Sequence, residues 1–254
     1  MVNLTFKTAG FVIFSLLVSV TFTSCISSYS IANAGIDPIV FTKPVYRDSA
    51  TVTDYLGGKY SHSYDYMYFN PGETNAFGQA YWFRTRSDQD YTYSYGAYGY
   101  LGNYNVQATE YLNGKKSYFG GGISGDLCFN IDLPQVDFRI IGIKGSLFYE
   151  DGNYLKFKNL VDQTTSAFAA PDRVGFNMSS FSGIDFKLKK SSLGFYFSAG
   201  LTSGLSYSTL MFTSSAIVNY QTDRMTFYLQ NSSNLANLFY FGSDIAIGLN
   251  YRLK

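Results

Sequence analysis

The sequence predicts an all-β fold, an antiparallel transmembrane β-barrel of about ten strands, and three observations carry the prediction. The first is strict two-residue alternation. Val174, Phe176, Met178, Ser180, Ser182, Ile184, Phe186 and Leu188 alternate with Gly175, Asn177, Ser179, Phe181, Gly183, Asp185 and Lys187. After Lys189-Lys190-Ser191-Ser192 the phase changes, and Leu193, Phe195, Phe197, Ala199 and Leu201 stand against Gly194, Tyr196, Ser198, Gly200 and Thr202. Such alternation puts one set on each face of a sheet. The second is length: each run covers about twelve residues, beyond the usual five or six of soluble strands and enough for a tilted strand to cross a bilayer. A greasy face opposite a small, polar one suits a barrel that turns the first to lipid and encloses the second. The third is composition. Aromatic residues make up 19% of the 254 residues, with 24 Tyr and 23 Phe against one Trp. Aromatics favour strands and collect in girdles where a barrel meets the headgroups. Mean hydropathy is -0.04, and past the N-terminus no apolar run is long enough for a spanning helix. A net charge of +1 excludes bulk attraction to polyanions.

The chain opens with Lys7, an apolar run from Ala9 to Val20, and then Phe22-Thr23-Ser24-Cys25. This pattern resembles the signal and lipobox of bacterial lipoproteins, with Phe22 where leucine is usual. The resemblance implies that residues 1–24 are a signal peptide and that Cys25 carries a covalent lipid, the one cofactor expected. Residues 25–50 then form a lipid anchor and periplasmic tether, and residues 51–254 the barrel. Ile26 to Ser30 lacks the acidic run of surface-exported lipoproteins, which implies an anchor in the inner leaflet. With Cys25 acylated, Cys128 has no partner for an intramolecular disulfide.

The first strand, Thr51–Tyr64, has a poor pattern interrupted by Asp54, Gly57, Gly58 and His62. After Asn70-Pro71-Gly72-Glu73, a loop, the second strand covers Phe77–Arg86. It carries Phe77, Tyr81 and Phe83 on one face, with Trp82, Arg84 and Arg86 on the other. The third, Tyr91–Tyr104, is nearly a tyrosine-glycine alternation. The fourth sets Phe119, Ile123, Leu127, Phe129, Ile131 and Leu133 against Gly120, Gly122, Ser124, Asp126, Cys128, Asn130 and Asp132. In the fifth, Val136–Tyr149, both faces carry aliphatics, so a bulge is expected near Gly142. A long connection, Asp151 to Arg173, leads to the sixth and seventh strands described above. The eighth, Leu210–Tyr220, and the ninth, beginning at Met225, are followed by a tenth in which Phe239, Phe241, Ile245, Ile247, Leu249, Tyr251 and Leu253 alternate with polar residues. Counts of eight or twelve are the alternatives.

Connections after strands two, four, six and eight are tight. The others are mostly longer, the asymmetry of short periplasmic turns and long external loops, which puts both termini in the periplasm. The closing strand, with alternating apolar residues and the terminal aromatic Tyr251, resembles the assembly signal of bacterial outer-membrane barrels, although the chain runs on through Arg252-Leu253-Lys254. The mature chain thus resembles the small-barrel superfamily of outer-membrane proteins. Together with the lipobox, this ending leans toward a Bacteroidota-type source.

Site chemistry is sparse. Barrel enzymes of this size need a histidine general base, and the chain has one, His62, flanked by Ser61 and Ser63 on the opposite face of its strand. No ligand spacing for a metal is present, and nucleic-acid signatures are absent. Arg84, Arg86, Asp126, Asp132, Arg139, Asp185, Lys187, Asp244 and Arg252 are predicted to face the lumen, where they pair as a charge network. In the long connection, Tyr154, Phe157 and Phe168 are candidate external contacts, or parts of a lid over the mouth. These features predict a non-enzymatic, lipid-anchored barrel that serves as a structural or accessory subunit of a larger envelope complex, with outer-membrane lipid and other envelope proteins as partners. A narrow pore for small solutes is the alternative, followed by a lipid- or peptide-cleaving enzyme using His62.

Overall fold

The computed structural model describes residues 28–29, 51–64, 73–88, 90–106, 113–164, 168–169, 171–205, 211–234 and 243–253. The signal segment, Cys25 and most of the tether lie outside them.

Ten strands form one closed antiparallel barrel. They are β1 Thr51–Tyr64, β2 Thr74–Ser87, β3 Tyr91–Val106, β4 Gly114–Asp132, β5 Val136–Gly152, β6 Val174–Lys187, β7 Ser191–Gly204, β8 Met211–Thr222, β9 Met225–Asn234 and β10 Ser243–Arg252. Each pairs with its neighbour in the chain. The first and last join through the register that sets Ile247 opposite Tyr60, so every ladder is closed and no edge is left to lipid. One helix, α1 Asn153–Thr164, lies between β5 and β6. Outside the barrel, Ser28–Tyr29 pairs in parallel with Phe168–Ala169.

The two ends of the barrel differ. Tight turns close one end, where the Asp88 amide donates to the Tyr91 carbonyl at 2.8 Å and Leu133 to Val136 at 2.9 Å. Thr51 and Arg252 lie at this turn end, and the Leu253 amide bonds to the Asp54 carbonyl at 2.8 Å. The longer connections and α1 lie at the opposite, loop end.

Alternation decides which face each residue takes. Leu101, Ile123, Ile143, Leu147, Phe197 and Ile247 point outward and are each more than half exposed. In water such a continuous apolar belt would drive association; around a closed barrel it is the surface that meets acyl chains. Trp82, Tyr91, Tyr220 and Tyr251 stand on the outer wall toward the turn end, as a girdle does.

The bulge expected near Gly142 is present, slightly earlier. Phe129 pairs with Ile141 and Asn130 with Arg139, so Ile140 is the extra residue. Ile140 and Ile141 both face outward, 53% and 52% exposed. The alternation therefore changes phase between them. This brings Arg139 and Lys144 to the same inner face, each 5% exposed, although simple alternation sets them on opposite faces.

Candidate functional site

The candidate site is the lumen, and its wall is built from pairs of one ring and one glycine. Tyr98 stands directly opposite Gly122, Tyr100 opposite Gly120 and Tyr118 opposite Gly102. Tyr81 faces Gly57, Phe83 faces Gly96, Phe148 faces Gly175 and Phe181 faces Gly142. Tyr196 faces Gly183, and Tyr228 faces Gly248. At each of these glycines a Cβ would run into the paired ring. The rings therefore lie over the glycines and fill the barrel sideways, an arrangement in which an aromatic covers the bare backbone of its partner.

Rings from β2 to β5 merge with α1 into one cluster containing Phe77, Tyr81, Phe83, Tyr98, Tyr118, Phe148, Tyr154, Phe157 and Val161. The opposite wall is different. Tyr196, Ile217 and Tyr228 form a smaller group there, and the small inward residues Ser179, Ser198, Gly200, Ser215, Ser232 and Ala246 stand beside the buried amides Asn177, Asn219, Gln230 and Asn250.

The stretch expected to be an external loop is a helix folded onto the lumen. Tyr154, Leu155, Phe157, Lys158 and Val161 are buried, at spacings of one, three, four and seven that share a helix face. Lys156, Asn159 and Leu160 stay exposed. Tyr154 stacks on Tyr104 at 4.8 Å, and Tyr104 donates to Glu73 at 2.8 Å. The expectation that Tyr154 and Phe157 are external contacts is thus corrected, because burying the apolar helix face against the lumen rings removes it from water. Phe168 lies in the short parallel pair beside Ser28. Gly152, at φ +128, makes the turn from strand into helix in a region that favours glycine. Lys158 reaches down to Glu150 at 3.2 Å, with both side chains 0% exposed, and its ammonium lies 5.0 Å from the centre of the Tyr154 ring.

The predicted charge network separates into parts. Arg139 and Asp185 do meet in the lumen, at 3.7 Å; the guanidinium lies over the Tyr196 ring at 5.0 Å, and the Tyr196 hydroxyl donates to Asp185. Asp126 accepts from Ser94. Lys187 and Asp132 pair at the turn-end rim. Asp244 stands opposite Ser63 near the loop end, and Arg252 opposite Tyr55 near the turn end. Arg84 and Arg86 do not face the lumen. Both are exposed on the outer wall, where Arg84 binds Asp54 through two hydrogen bonds of 2.9 Å. They sit near the turn end of β2, where a long cationic side chain reaches the headgroup region, and the other face of β2 is taken by Phe77, Tyr81 and Phe83.

Lys59, Lys144, Glu150 and Lys158 are lumenal charges that the sequence reading missed. The helical spacing from Tyr154 to Val161 was the signal for Lys158, and the bulge concealed Lys144. His62, the chain's one histidine, is exposed on the outer face of β1. Cys128 is buried on the inner face and is in no disulfide. Among the described residues no group of three or more His, Cys, Asp or Glu is arranged to hold a metal ion.

No family model and no curated protein matches the chain. Solved structures resemble it as barrels. The beta domain of the Bordetella autotransporter BrkA is 8% identical over 79% of this chain and 98% of its own, with a TM-score of 0.44. An outer membrane channel from Pseudomonas putida F1 is 9% identical over 82% and 98%, at 0.41. The outer membrane protease OmpT from Escherichia coli is 9% identical over 85% and 99%, at 0.32. All three scores are below 0.5, and none of the likenesses bears on what this barrel does.

Proposed function

We propose that the protein is a closed, non-enzymatic barrel of the bacterial outer membrane, anchored by a lipid on Cys25, that serves as a structural or accessory subunit of a larger envelope assembly. The observation that carries this reading is the packing of rings and α1 on the β2–β5 side of the lumen. Rings lie across the barrel from one wall, and α1 caps them with a fully buried Lys158–Glu150 pair. A conducting pore needs a hydrated path, and on the β2–β5 side buried rings pack against α1. The single histidine on the outer wall, away from the lumenal acids, supports a non-catalytic role. The tight turns at the end that holds Thr51 and Arg252 support a periplasmic side for those strand ends.

Two measurements on the native protein test this. In planar bilayers the purified chain is expected to give no conductance steps, and well-resolved steps at low voltage would favour the pore. Co-purification from native membranes is expected to bring down a stoichiometric envelope protein; a chain that always emerges alone would remove the accessory role. The anchor has its own check, since Cys25→Ala should abolish incorporation of a radioactive fatty acid.

A further inference from the structure

The outer wall of the barrel is grooved on one side. Tyr220, Phe227 and Leu249, paired in turn across β8, β9 and β10, form the edge nearer the turn end, and Val218, Leu229 and Ile247 form the other. All six side chains point outward and are exposed. The groove runs on between Gly58 and Tyr60 of β1, which stand opposite Leu249 and Ile247, and it holds about 640 Å3, a volume usual for ligand pockets. Its floor is the main chain at Asn219, Tyr228, Gly248 and Lys59, residues that face the lumen by alternation. Gly58 leaves a gap in the edge nearer the turn end, where an added Cβ would meet only the Gln79 carbonyl at 3.2 Å.

The dimensions choose the occupant. Successive outward residues on one strand are about 7 Å apart, too close to seat a helix about 10 Å across. An extended methylene chain fits between them. From Leu193 on β7 to Gly58 on β1 the groove crosses five strands, about 19 Å at the usual strand spacing. It is continuous with the apolar belt that meets acyl chains.

The rim below the groove is basic. Ser191 stands opposite Thr222, so the β6–β7 turn, with Lys189 and Lys190, adjoins the β8–β9 turn, with Arg224; all three are exposed. Asp223 is the one acid in these two turns. Elsewhere the rim carries Asp88 and Asp90 after Arg86, while Arg84 and Lys187 are held by Asp54 and Asp132. Cations at a membrane surface attract anionic headgroups. We propose that the groove seats an acyl chain of an anionic phospholipid whose phosphate lies against Lys190 and Arg224. These residues precede Leu193 and Phe227 by three positions, about 10 Å along the strand, a distance shared by the long cationic side chain and the lipid's glycerol ester. That the periplasmic leaflet supplies the lipid rests on the orientation proposed above; the groove and its rim do not.

The test uses the full chain purified in detergent and native mass spectrometry, with phosphatidylglycerol and phosphatidylethanolamine of identical acyl chains as probes. Orientation plays no part in this measurement, so its outcome bears on the site alone. The wild-type barrel is expected to retain phosphatidylglycerol with a preference of about tenfold over phosphatidylethanolamine. Lys190→Gln with Arg224→Gln should bring the two lipids to parity. Gly58→Leu fills the groove and should sharply reduce retention of both, with Leu229→Trp as a second filling variant and heat-modifiable gel migration as the check on folding. Gly78→Leu, on the outer face of β2 with nothing within 4 Å of an added Cβ, should change neither. No retained lipid, equal retention of the two by the wild type, or a preference that survives the double substitution would overturn the phosphate contact. Filling variants that fold and still bind as the wild type does would overturn the groove as the seat of the chain.

Discussion

Glycine and tyrosine on the inner wall act as one unit, and the cost of separating them can be measured. The Tyr228 ring lies over Gly248, and its hydroxyl is 2.9 Å from that of Tyr81. Tyr81 in turn donates to Asn250 at 2.5 Å. Gly248→Ala puts a methyl where the ring lies, so the ring must move and the bridge across the lumen breaks. The expected loss is about 1–3 kcal/mol, the range for overpacking. Gly78, on the outer face of β2, has nothing within 4 Å of an added Cβ, and Gly78→Ala should stay within about 0.5 kcal/mol. Urea unfolding from lipid vesicles compares the two, and equal losses would mean that the ring-glycine pairs do not hold the wall. Lys158 gives the second prediction at this scale. With both partners fully buried, Lys158→Met leaves the Glu150 carboxylate stranded, at about 3–5 kcal/mol. The helix should then undock, which hydrogen exchange of the 153–164 amides reads as strong deprotection. Adding Glu150→Leu should restore much of the protection, because an apolar pair of similar volume removes the stranded charge.

Among the elements, β5 shows how one extra residue sets the chemistry of a wall. Ile140 shifts the phase so that Asp137 and Arg139 on one side of it, and Lys144 and Glu150 on the other, all face inward. Deleting Ile140 removes the shift, and the 136–139 segment must then turn Asp137 and Arg139 to the outer wall or slip its register. Arginine on the lipid face costs up to about 2–4 kcal/mol at the midplane and less near the headgroups. It would also leave Asp185 without its 3.7 Å partner. The deletion is expected to lower the fraction of heat-modifiable barrel, whereas Ile140→Val, which keeps the bulge, should not. The bulge was legible because aliphatics crowd both faces from Val136 to Tyr149. The placement of Arg84 and Arg86 was not. Both faces of β2 carry aromatics, and the cost of charge in lipid falls away near the rim, so neither pattern nor charge selects the face.

For the whole molecule, the apolar belt and the filled interior make opposite demands on the same strands. Ile123, 62% exposed on the outer wall, should cost about 2–4 kcal/mol as Ile123→Arg if it lies at the bilayer midplane. Vesicle unfolding that shows no loss would place it outside the hydrocarbon. The sequence by itself determined the barrel, a count of about ten strands and the direction of nearly every side chain in β4, β6 and β7. A period of two is a local property, and a strand displays it whatever surrounds it. What fills the barrel was decided only by the tertiary structure. Ring meets glycine across strands, as Tyr228 meets Gly248, because register brings together residues far apart in sequence. Asn153 to Thr164 is a helix because a lumen is there to bury Tyr154, Phe157 and Val161; twelve residues are marginal as an isolated helix in water. Register and enclosure are relations between distant parts of the chain, and they come into being only when the sheet closes.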